Sequence, residues 1–354
     1  MTYVAPSKVL AHLDRLAAWQ QGDTPAPVTV EIDLTNICSL GCQFCHFAHT
    51  HVGGPWADKP EKPAGYEDTG RFADAGLLMA AFTDMAEAGV RAVVFSGGGE
   101  PTLHPRFDDI VRAAAAAGLQ LGMYTLGGHL SEARAALVRQ TFAWVVVSLD
   151  APDALAYATE KRVPAIRFQA AVDGIVRLSH GSCVVGVSFL LHAENWTRTY
   201  EMLALGRALG ATYTTFRPTI ETDPHDLAVA TGDRSWVTDA WHVLHGLAAH
   251  PDVEIDPPRF AEYRDWHGRS YQTCYGIRLV TQVTPDGRVW VCPNRRGMPG
   301  SELGNLQTES FASIWRRHPG QWTDFSACRV MCRLHLVNET LDTVYKPRRH
   351  EAFI

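Results

Sequence analysis

The sequence predicts an α/β fold in which six β/α units form a partial barrel, followed by a small C-terminal α+β domain. From residue 28 to residue 216, strand-like segments alternate with helix-like segments, and this alternation favours parallel strands joined by right-handed crossovers. A complete barrel of this type has eight units, so six units close only part of it. After the alternation ends, a hairpin pattern between cysteines indicates a second, smaller domain.

This order divides the chain into three parts. Residues 1–27 contain a leading helix over Ser7 to Gln20, where apolar residues recur at helical spacing. Residues 28–250 form the partial barrel, and residues 251–354 form the small domain. The boundaries lie where the pattern of apolar residues changes.

Each predicted barrel strand is short and apolar. The strands are expected at 28–34, 91–96, 119–124, 143–149, 183–190 and 211–216. The helices between them are expected at 73–88, 105–117, 130–140, 165–179 and 196–209. Residues 52–70, rich in glycine, proline and charge, predict an irregular loop. Functional residues of such barrels lie where strands end, so the segments after each strand are the places to search for chemistry.

Three cysteines follow the first strand, in the run Cys38-Ser39-Leu40-Gly41-Cys42-Gln43-Phe44-Cys45. The spacing C-x3-C-x2-C supplies three thiolates from one short loop. Three thiolates on a four-iron cubane leave one iron open to bind a ligand. The alternative is a structural zinc site completed by His46, although structural zinc usually takes paired cysteine knuckles.

A glycine-rich turn follows the second strand. Gly97-Gly98-Gly99 lets the backbone approach a ligand without a Cβ clash. The carboxylate of Glu100 can accept hydrogen bonds from a ligand ammonium group. Taken alone, the segment also fits an ordinary glycine-rich β–α turn.

Together the two segments resemble the signatures of the radical S-adenosylmethionine (SAM) superfamily. The resemblance implies that Cys38, Cys42 and Cys45 hold a [4Fe–4S] cluster and that SAM chelates its open iron. One electron from the cluster then breaks the sulfur–C5′ bond of SAM and frees a 5′-deoxyadenosyl radical. The partial barrel is the fold that this resemblance implies, and a flavodoxin- or ferredoxin-type protein is the implied reductant.

The same resemblance assigns SAM contacts to residues of both motifs. Phe44 precedes the third cysteine, where the family carries an aromatic residue that packs near the adenine. Gly98, Gly99 and Glu100 match the segment that grips the SAM amino group. These four residues are therefore expected in the cofactor site.

Residues after the third and fourth strands extend the match. Thr125-Leu126-Gly127 stands where relatives often carry Thr-Asn-Gly, so Leu126 lacks the polar side chain expected there. Ser148 ends the fourth strand like a family segment whose serine, with an arginine about a dozen residues on, contacts the SAM carboxylate. Arg162 is the candidate arginine and Lys161 is its competitor. The alternative for Arg162 is a solvated charge at a helix end.

Four further polar residues are candidates for the site. Asn195 after the fifth strand and Arg217 after the sixth are expected to bind SAM, with a helix cap or a solvated position as the alternative. His46 and His49 follow the cysteine loop closely. They are candidates for binding a polar group or for moving the proton lost in alcohol oxidation. A loop of solvated histidines is the alternative.

Four more cysteines follow the barrel pattern: Cys274, Cys292, Cys328 and Cys332. The first two enclose the turn Pro285-Asp286-Gly287 with apolar flanks, which predicts a β-hairpin. This C-x12-G-x4-C pattern resembles the opening of the SPASM and Twitch domains of radical SAM enzymes. Full SPASM domains carry more cysteines, so the sequence predicts a Twitch-like domain with one auxiliary [4Fe–4S] cluster on these four thiolates. A structural zinc on the same thiolates is the alternative.

Charge and composition argue against several functions. The chain has 354 residues and a formal net charge of −6, so neither nucleic acid nor an anionic membrane is an expected partner. No apolar run approaches the ~20 residues that span a bilayer, and Met1 to Gln21 lacks the apolar core of a signal peptide. A cytoplasmic location is therefore expected. In that setting, eight cysteines indicate metal or redox chemistry rather than disulfides.

The expected reaction begins with abstraction of a hydrogen atom from an unactivated C–H bond. Twitch-containing relatives include an enzyme that oxidises an aminocyclitol during antibiotic synthesis. Peptide-maturing relatives often carry an extra N-terminal recognition domain, whereas few residues precede the cysteine loop here. The sequence therefore favours dehydrogenation of a small polar substrate, an aminocyclitol or amino sugar, in secondary-metabolite biosynthesis.

Three alternatives remain open at this point. One is an epimerase in which Cys183, the cysteine outside both groups, donates a hydrogen atom. Cys183 begins its strand rather than ends it, and a buried inert cysteine is the commoner role. A second alternative is a peptide-modifying radical enzyme. The third is a zinc-binding interaction module without catalytic activity.

Overall fold

The computed structural model describes most of the chain. The described residues are 6–51, 62–63, 65–219, 232–255, 257–266, 268–325, 328 and 332–346. Much of the loop predicted at 52–70 lies outside these residues.

One mixed sheet of ten strands organises the described part of the chain. Its six central strands are β1 (Thr29–Asp33), β2 (Ala92–Ser96), β3 (Gln120–Thr125), β4 (Phe142–Ser148), β5 (Val184–Leu191) and β6 (Tyr213–Pro218). Neighbours among them pair in parallel and in sequence order. The predicted α/β fold with six parallel strands is confirmed. A short further strand, β7 (Val253–Ile255), continues the parallel series beside β6.

Helix α1 (Leu13–Gln20) precedes the first strand. The helices after the first strand are α2 (Ala75–Ala88), α3 (Phe107–Ala116), α4 (Glu132–Thr141), α5 (Ala154–Lys161), α6 (Arg167–Ser179), α7 (Thr199–Ala208), α8 (Trp236–Leu247) and α9 (Pro257–Arg264). A 3-10 turn, Pro6–His12, precedes α1, so only part of the predicted leading helix is α-helical. The sequence reading missed α5, which begins where the Asp153 carboxylate caps the backbone N–H groups of Leu155 and Ala156.

The C-terminal region is joined to the barrel by strand pairing. The predicted hairpin forms between β8 (Val280–Val283) and β9 (Arg288–Trp290), and β10 (Glu302–Asn305) pairs with β9. On its other side β8 pairs in parallel with β1. Two helices complete the region: α10 (Phe311–Trp315) and α11 (His335–Tyr345). The small domain therefore shares a sheet with the barrel.

The main core lies between the parallel strands and their helices. Alternate residues of the strands, such as Val30, Ile32, Phe95 and Val187, are completely buried there. Each large side chain buried in this way stabilises the fold by roughly 1.5–3 kcal/mol. Because all six strands run the same way, their carboxyl ends and the loops that follow them lie at one end of the barrel. Within the described residues, no helix is both long enough and apolar enough to cross a membrane.

Candidate functional site

The cysteine loop is held by the end of α5, the helix that the sequence reading missed. The backbone N–H of Gly41 donates to the carbonyl of Lys161 at 2.8 Å, and that of Gln43 donates to the carbonyl of Glu160 at 3.3 Å. The Gln43 side-chain amide also donates to the Glu160 carboxylate at 3.0 Å. The carboxylate in turn contacts His192 Nε2 at 2.8 Å. These bonds fix the loop after β1 against the end of α5.

The three thiols of this loop, which we call the triad, lie close together. Cys38 is buried, and Cys42 and Cys45 are partly buried. Burial raises the pKa of all three thiols. Neighbouring triad thiols add to the shift at Cys38 and Cys45, and the pKa of Cys45 is raised to about 12 in all. His51, in the histidine-rich segment that follows, lies with Nε2 3.2 Å from Cys45 Sγ. A group of protonated thiols that destabilise one another's ionised forms fits a cationic metal centre, which takes the protons' place.

Close packing explains the glycines of the second motif. A Cβ on Gly99 would lie 2.2 Å from the carbonyl oxygen of Ile37, and a Cβ on Gly98 would lie 2.0 Å from Asn36 Oδ1. The Glu100 N–H donates to the same Ile37 carbonyl at 2.9 Å. Only glycine allows the loop after β2 to pass this close to the segment that leads into the triad.

The Glu100 carboxylate is immobilised by surrounding donors. Oε1 accepts hydrogen bonds from the Thr102 N–H at 3.0 Å, the Thr125 hydroxyl at 2.7 Å and the Thr102 hydroxyl. Oε2 accepts one from the Leu126 N–H at 2.7 Å. Leu126, which lacks the polar side chain expected there, therefore contributes through its backbone. Each carboxylate oxygen has two lone pairs, so Oε2 retains capacity for an ammonium donor such as that of SAM.

A buried ion pair stands beside the triad. Lys161 and Asp150 are each 1 % exposed and pair through Nζ and Oδ2, while Asp150 Oδ1 accepts from the Leu190 N–H at 2.8 Å. Lys161 Nζ also lies 5.1 Å from the centroid of the Phe44 ring. Arg162 is exposed and ends α5 in the left-handed conformation, with φ of 51°. The structure thus brings the competitor Lys161 to the cysteine loop.

The other residues that the sequence predicts to bind SAM lie at or after the carboxyl ends of β4, β5 and β6. Ser148 is partly buried at the carboxyl end of β4, opposite Ser188. Asn195 is buried and braces its own loop, with Nδ2 donating to the Leu190 carbonyl at 2.9 Å. Arg217 lies near the end of β6.

The two histidine candidates lie in the segment that follows the triad, whereas Cys183 lies elsewhere. His46 follows the triad directly, and His49 is buried with its ring 4.8 Å from the ring of Tyr66. Cys183 is buried at the amino end of β5. The triad follows the carboxyl end of β1, so Cys183 lies at the opposite end of the parallel sheet.

Two arginines of the small domain reach acidic residues of β1. Arg296 pairs with Asp33, and the side chains are 4 % and 1 % exposed. Burial raises the pKa of Asp33 to about 6, although the guanidinium opposes that shift. Arg333 pairs with Glu31. The sequence reading missed all four residues.

Arg296 also joins the two motifs of the site. Its Nη2 donates to the Gly97 carbonyl at 2.7 Å, and its guanidinium carbon lies 3.5 Å from the centroid of the Phe47 ring. Phe47 follows the triad, and Gly97 opens the glycine turn. One side chain of the small domain therefore contacts the ends of β1 and β2 and the cysteine loop.

The four C-terminal cysteines, which we call the quartet, converge from distant segments. Cys274 pairs with Trp322 through two backbone hydrogen bonds of 2.7 and 3.2 Å. Cys292 opens the short turn Pro293–Arg295, and the carbonyl of Cys332 accepts from the first N–H of α11 at 2.7 Å. Burial raises the pKa of Cys274 to about 12 and also raises that of Cys292 well above its ordinary value. The other three thiols also raise the Cys292 pKa, so four thiols face one centre.

Both donor sets fit iron–sulfur clusters. Three thiols leave one iron of a cubane open, beside a carboxylate that can take the amino group of a ligand. Four thiols can ligate a second cluster completely. The quartet geometry alone would also suit zinc.

Two family models match the chain. The radical SAM superfamily matches residues 32–205, which include the triad, the glycine turn and Lys161. The iron–sulfur cluster-binding SPASM domain matches residues 274–334, which include the whole quartet. The model that spans the quartet is one of an iron–sulfur cluster-binding domain.

Similar sequences extend over most of the chain. The PqqA peptide cyclase of Gluconobacter oxydans is 26 % identical over 301 residues, covering 83 % of this chain and 77 % of that protein. The PqqA peptide cyclase of Methylobacterium nodulans is 24 % identical over 321 residues, covering 83 % and 74 %. A tungsten-containing aldehyde ferredoxin oxidoreductase cofactor-modifying protein of Pyrococcus furiosus is 32 % identical over 103 residues, covering 28 % and 24 %.

Solved structures share the fold. SuiB of Streptococcus suis bound to S-adenosylmethionine superposes with a TM-score of 0.64 at 13 % identity, covering 90 % of this chain and 72 % of that one. The enzyme anSMEcpe with bound AdoMet has a TM-score of 0.62 at 13 % identity and covers 88 % of both chains. The sheet, the two cysteine groups and the family matches agree. The chain combines a radical SAM domain with a C-terminal SPASM domain, and its cofactors are S-adenosylmethionine and [4Fe–4S] clusters.

Proposed function

We propose that this protein is a radical SAM enzyme that modifies a peptide by removing two hydrogens, as in the formation of an intramolecular cross-link. The similarity to PqqA peptide cyclases carries the proposal, because it spans 83 % of the chain and includes both domains. The aminocyclitol or amino-sugar substrate expected from the sequence has no such support.

Bound SAM supplies a hydrogen-abstracting 5′-deoxyadenosyl group when an electron reaches the cluster of the radical SAM domain. Cys38, Cys42 and Cys45 would hold that cluster. Glu100, fixed by its threonine donors, would accept the SAM ammonium through Oε2. The Lys161–Asp150 pair would keep the cysteine loop in place.

The overall reaction accounts for every hydrogen and electron. One C–H hydrogen atom of the peptide goes to 5′-deoxyadenosine. When the new bond forms, a second hydrogen leaves as a proton, and one electron passes to an oxidised iron–sulfur cluster of the enzyme. The product is lighter than the peptide by two hydrogens, and each turnover yields one methionine and one 5′-deoxyadenosine.

The position of Cys183 supports oxidation over epimerisation. An epimerase needs a hydrogen donor close to the substrate radical, and Cys183 is the one cysteine outside the triad and the quartet. Cys183 lies just before β5, a strand of eight residues. At the rise of a strand, eight residues place it roughly 25 Å from the strand end near the triad.

Mass spectrometry tests the proposal. The anaerobically reconstituted enzyme is incubated with SAM, dithionite and synthetic copies of short peptides encoded beside its gene. We expect 5′-deoxyadenosine together with a peptide that has lost two hydrogens. A parallel incubation uses a panel of aminocyclitols and amino sugars.

Three results would contradict the proposal. Oxidation of an aminocyclitol with unchanged peptides would restore the small-molecule function. A peptide of unchanged mass that takes up solvent deuterium would indicate epimerisation. A protein that binds zinc without iron would contradict the enzyme assignment altogether.

A further inference from the structure

Nitrogen donors surround the sulfurs of the quartet. Asn338 Nδ2 lies 3.1 Å from Cys274 Sγ, and Asn294 Nδ2 lies 3.0 Å from Cys332 Sγ. The backbone N–H of Leu334 also points at Cys332 Sγ, at 3.4 Å. These contacts come from two different segments, the turn after Cys292 and the start of α11.

The orientation of Asn338 is determined by a second hydrogen bond. Its Oδ1 accepts from the Gly276 N–H at 2.7 Å, so the N–H2 end must face the sulfur. Asn338 is 1 % exposed. Because the side chain is buried and Oδ1 is held by the Gly276 N–H, the amide has one orientation, in which Nδ2 donates to Cys274 Sγ.

Arg295 adds a charged donor. Its Nη1 lies 3.6 Å from Cys328 Sγ. The side chain is held by a 2.8 Å bond from Nε to the Ser301 hydroxyl and lies 4.5 Å from the centroid of the Trp322 ring. Three of the four sulfurs therefore have a side-chain N–H donor from a positioned residue.

Hydrogen bonds to ligating sulfurs change the energy of electron uptake. The reduced state of a cluster is one unit more negative than the oxidised state, so N–H donors stabilise the reduced state more strongly. A buried positive charge acts in the same direction. Both kinds of donor around the quartet would raise the reduction potential of a cluster bound there.

We propose that Asn294, Asn338 and Arg295 are positioning residues that raise the reduction potential of the auxiliary cluster. The proposal concerns the cluster alone and can be tested without substrate.

Potentiometric titration followed by electron paramagnetic resonance tests whether the three donors raise the reduction potential. The full-length Cys42→Ala protein serves as the background, because it should retain only the auxiliary cluster. In this background, Asn294→Leu removes one donor without adding charge. Asn338→Asp keeps the acceptor for the Gly276 N–H and replaces the donor by a carboxylate. We expect each change to lower the ratio of reduced to oxidised cluster at fixed potential at least tenfold, which is 59 mV for one electron.

Matched controls separate the local effect from a general one. Gln307 is exposed, and its amide contacts the hairpin turn at Asp286. Gln307→Leu and Gln307→Glu repeat the two chemical changes away from the sulfurs and should leave the potential unchanged. Iron content is measured for every variant. If Asn338→Asp fails to bind the cluster, Asn294→Leu decides the question, and an unchanged potential there overturns the proposal.

Discussion

The triad and the quartet reach similar chemistry by different routes. The triad comes from a single loop of eight residues, Cys38 to Cys45, whose spacing alone brings the thiols together. The quartet is collected from a strand lead-in, a hairpin end and the approach to α11, between Cys274 and Cys332. With three thiolates the local group would leave one position of a four-iron cluster for a ligand, whereas the four thiolates of the assembled group could enclose a cluster completely.

The triad and the quartet therefore depend on the fold in different ways. The triad needs close approach of two loops, which glycines provide at Gly98 and Gly99. The quartet needs distant segments to be held in register, and its donors Asn294 and Asn338 arrive with those segments. Variants that affect one group and spare the other test this distinction.

The largest effect is expected for Cys42→Ala. Removing one of three thiolates prevents stable assembly of the cluster that binds SAM. We expect no SAM cleavage and a loss of about half of the bound iron. Chromatographic detection of 5′-deoxyadenosine and iron analysis measure both. Cleavage at the parent rate would show that the triad assignment is wrong.

Cys328→Ala is the companion variant in the quartet. Because the triad does not depend on this thiol, we expect SAM cleavage to continue at a reduced rate while peptide product disappears. Complete loss of cleavage in a folded protein would show that the two centres are not separable.

Arg296→Met breaks the link between the two regions. It leaves the Asp33 carboxylate buried without its partner, which typically costs 3–5 kcal/mol. We expect a destabilisation of about that size, measured by urea unfolding of the iron-loaded protein. The control Arg317→Met removes the exposed pair with Glu309 and should change stability little. Equal stabilities for the two variants would show that the buried pair does not hold the regions together.

Gly99→Ala perturbs the triad side alone. The added Cβ would meet the Ile37 backbone at 2.2 Å, and such overpacking costs about 1–3 kcal/mol. We expect a lower melting temperature and weakened SAM binding, with the quartet iron retained. At Gly246 in α8 a Cβ has open space, so Gly246→Ala should be neutral or slightly stabilising. Normal SAM affinity in Gly99→Ala would contradict the close-packing explanation.

The smallest effect concerns acid stability on the quartet side. Burial, together with the charge of Arg278, lowers the pKa of His318 to about 3. In the unfolded chain this histidine binds a proton near pH 6.5, whereas in the folded protein it stays neutral down to about pH 3. The free energy of unfolding therefore decreases as pH falls from 6.5 toward 3. The slope is at most about 1.4 kcal/mol per pH unit.

Replacing His318 should flatten this pH dependence. His318→Phe keeps a ring beside Trp315 and has no proton to bind, whereas His242→Phe changes an exposed histidine of α8. Chemical unfolding at several pH values measures the slopes. Identical slopes for the parent and His318→Phe would contradict the prediction.

The extent to which sequence predicted this structure follows the same division. Spacing within a short segment predicted the triad, the glycine turn and β1 to β6. The cap of α5 at Asp153 is also a local signal, yet the sequence analysis did not predict this helix. Arg296 and Asp33 are 263 positions apart, and no local pattern connects such residues. The same holds for Asn338 and Cys274, which meet only because α11 packs against the turn at Gly276.

The parallel pairing of β8 with β1 limits how this enzyme can be shortened. A fragment ending before Val280 would expose the whole row of β1 hydrogen-bonding groups as a new sheet edge. Unprotected edges of this kind recruit strands from other molecules and promote aggregation. Construction of a minimal SAM-cleaving fragment would therefore have to retain the hairpin, or cover β1 by other means, even though every triad ligand lies upstream.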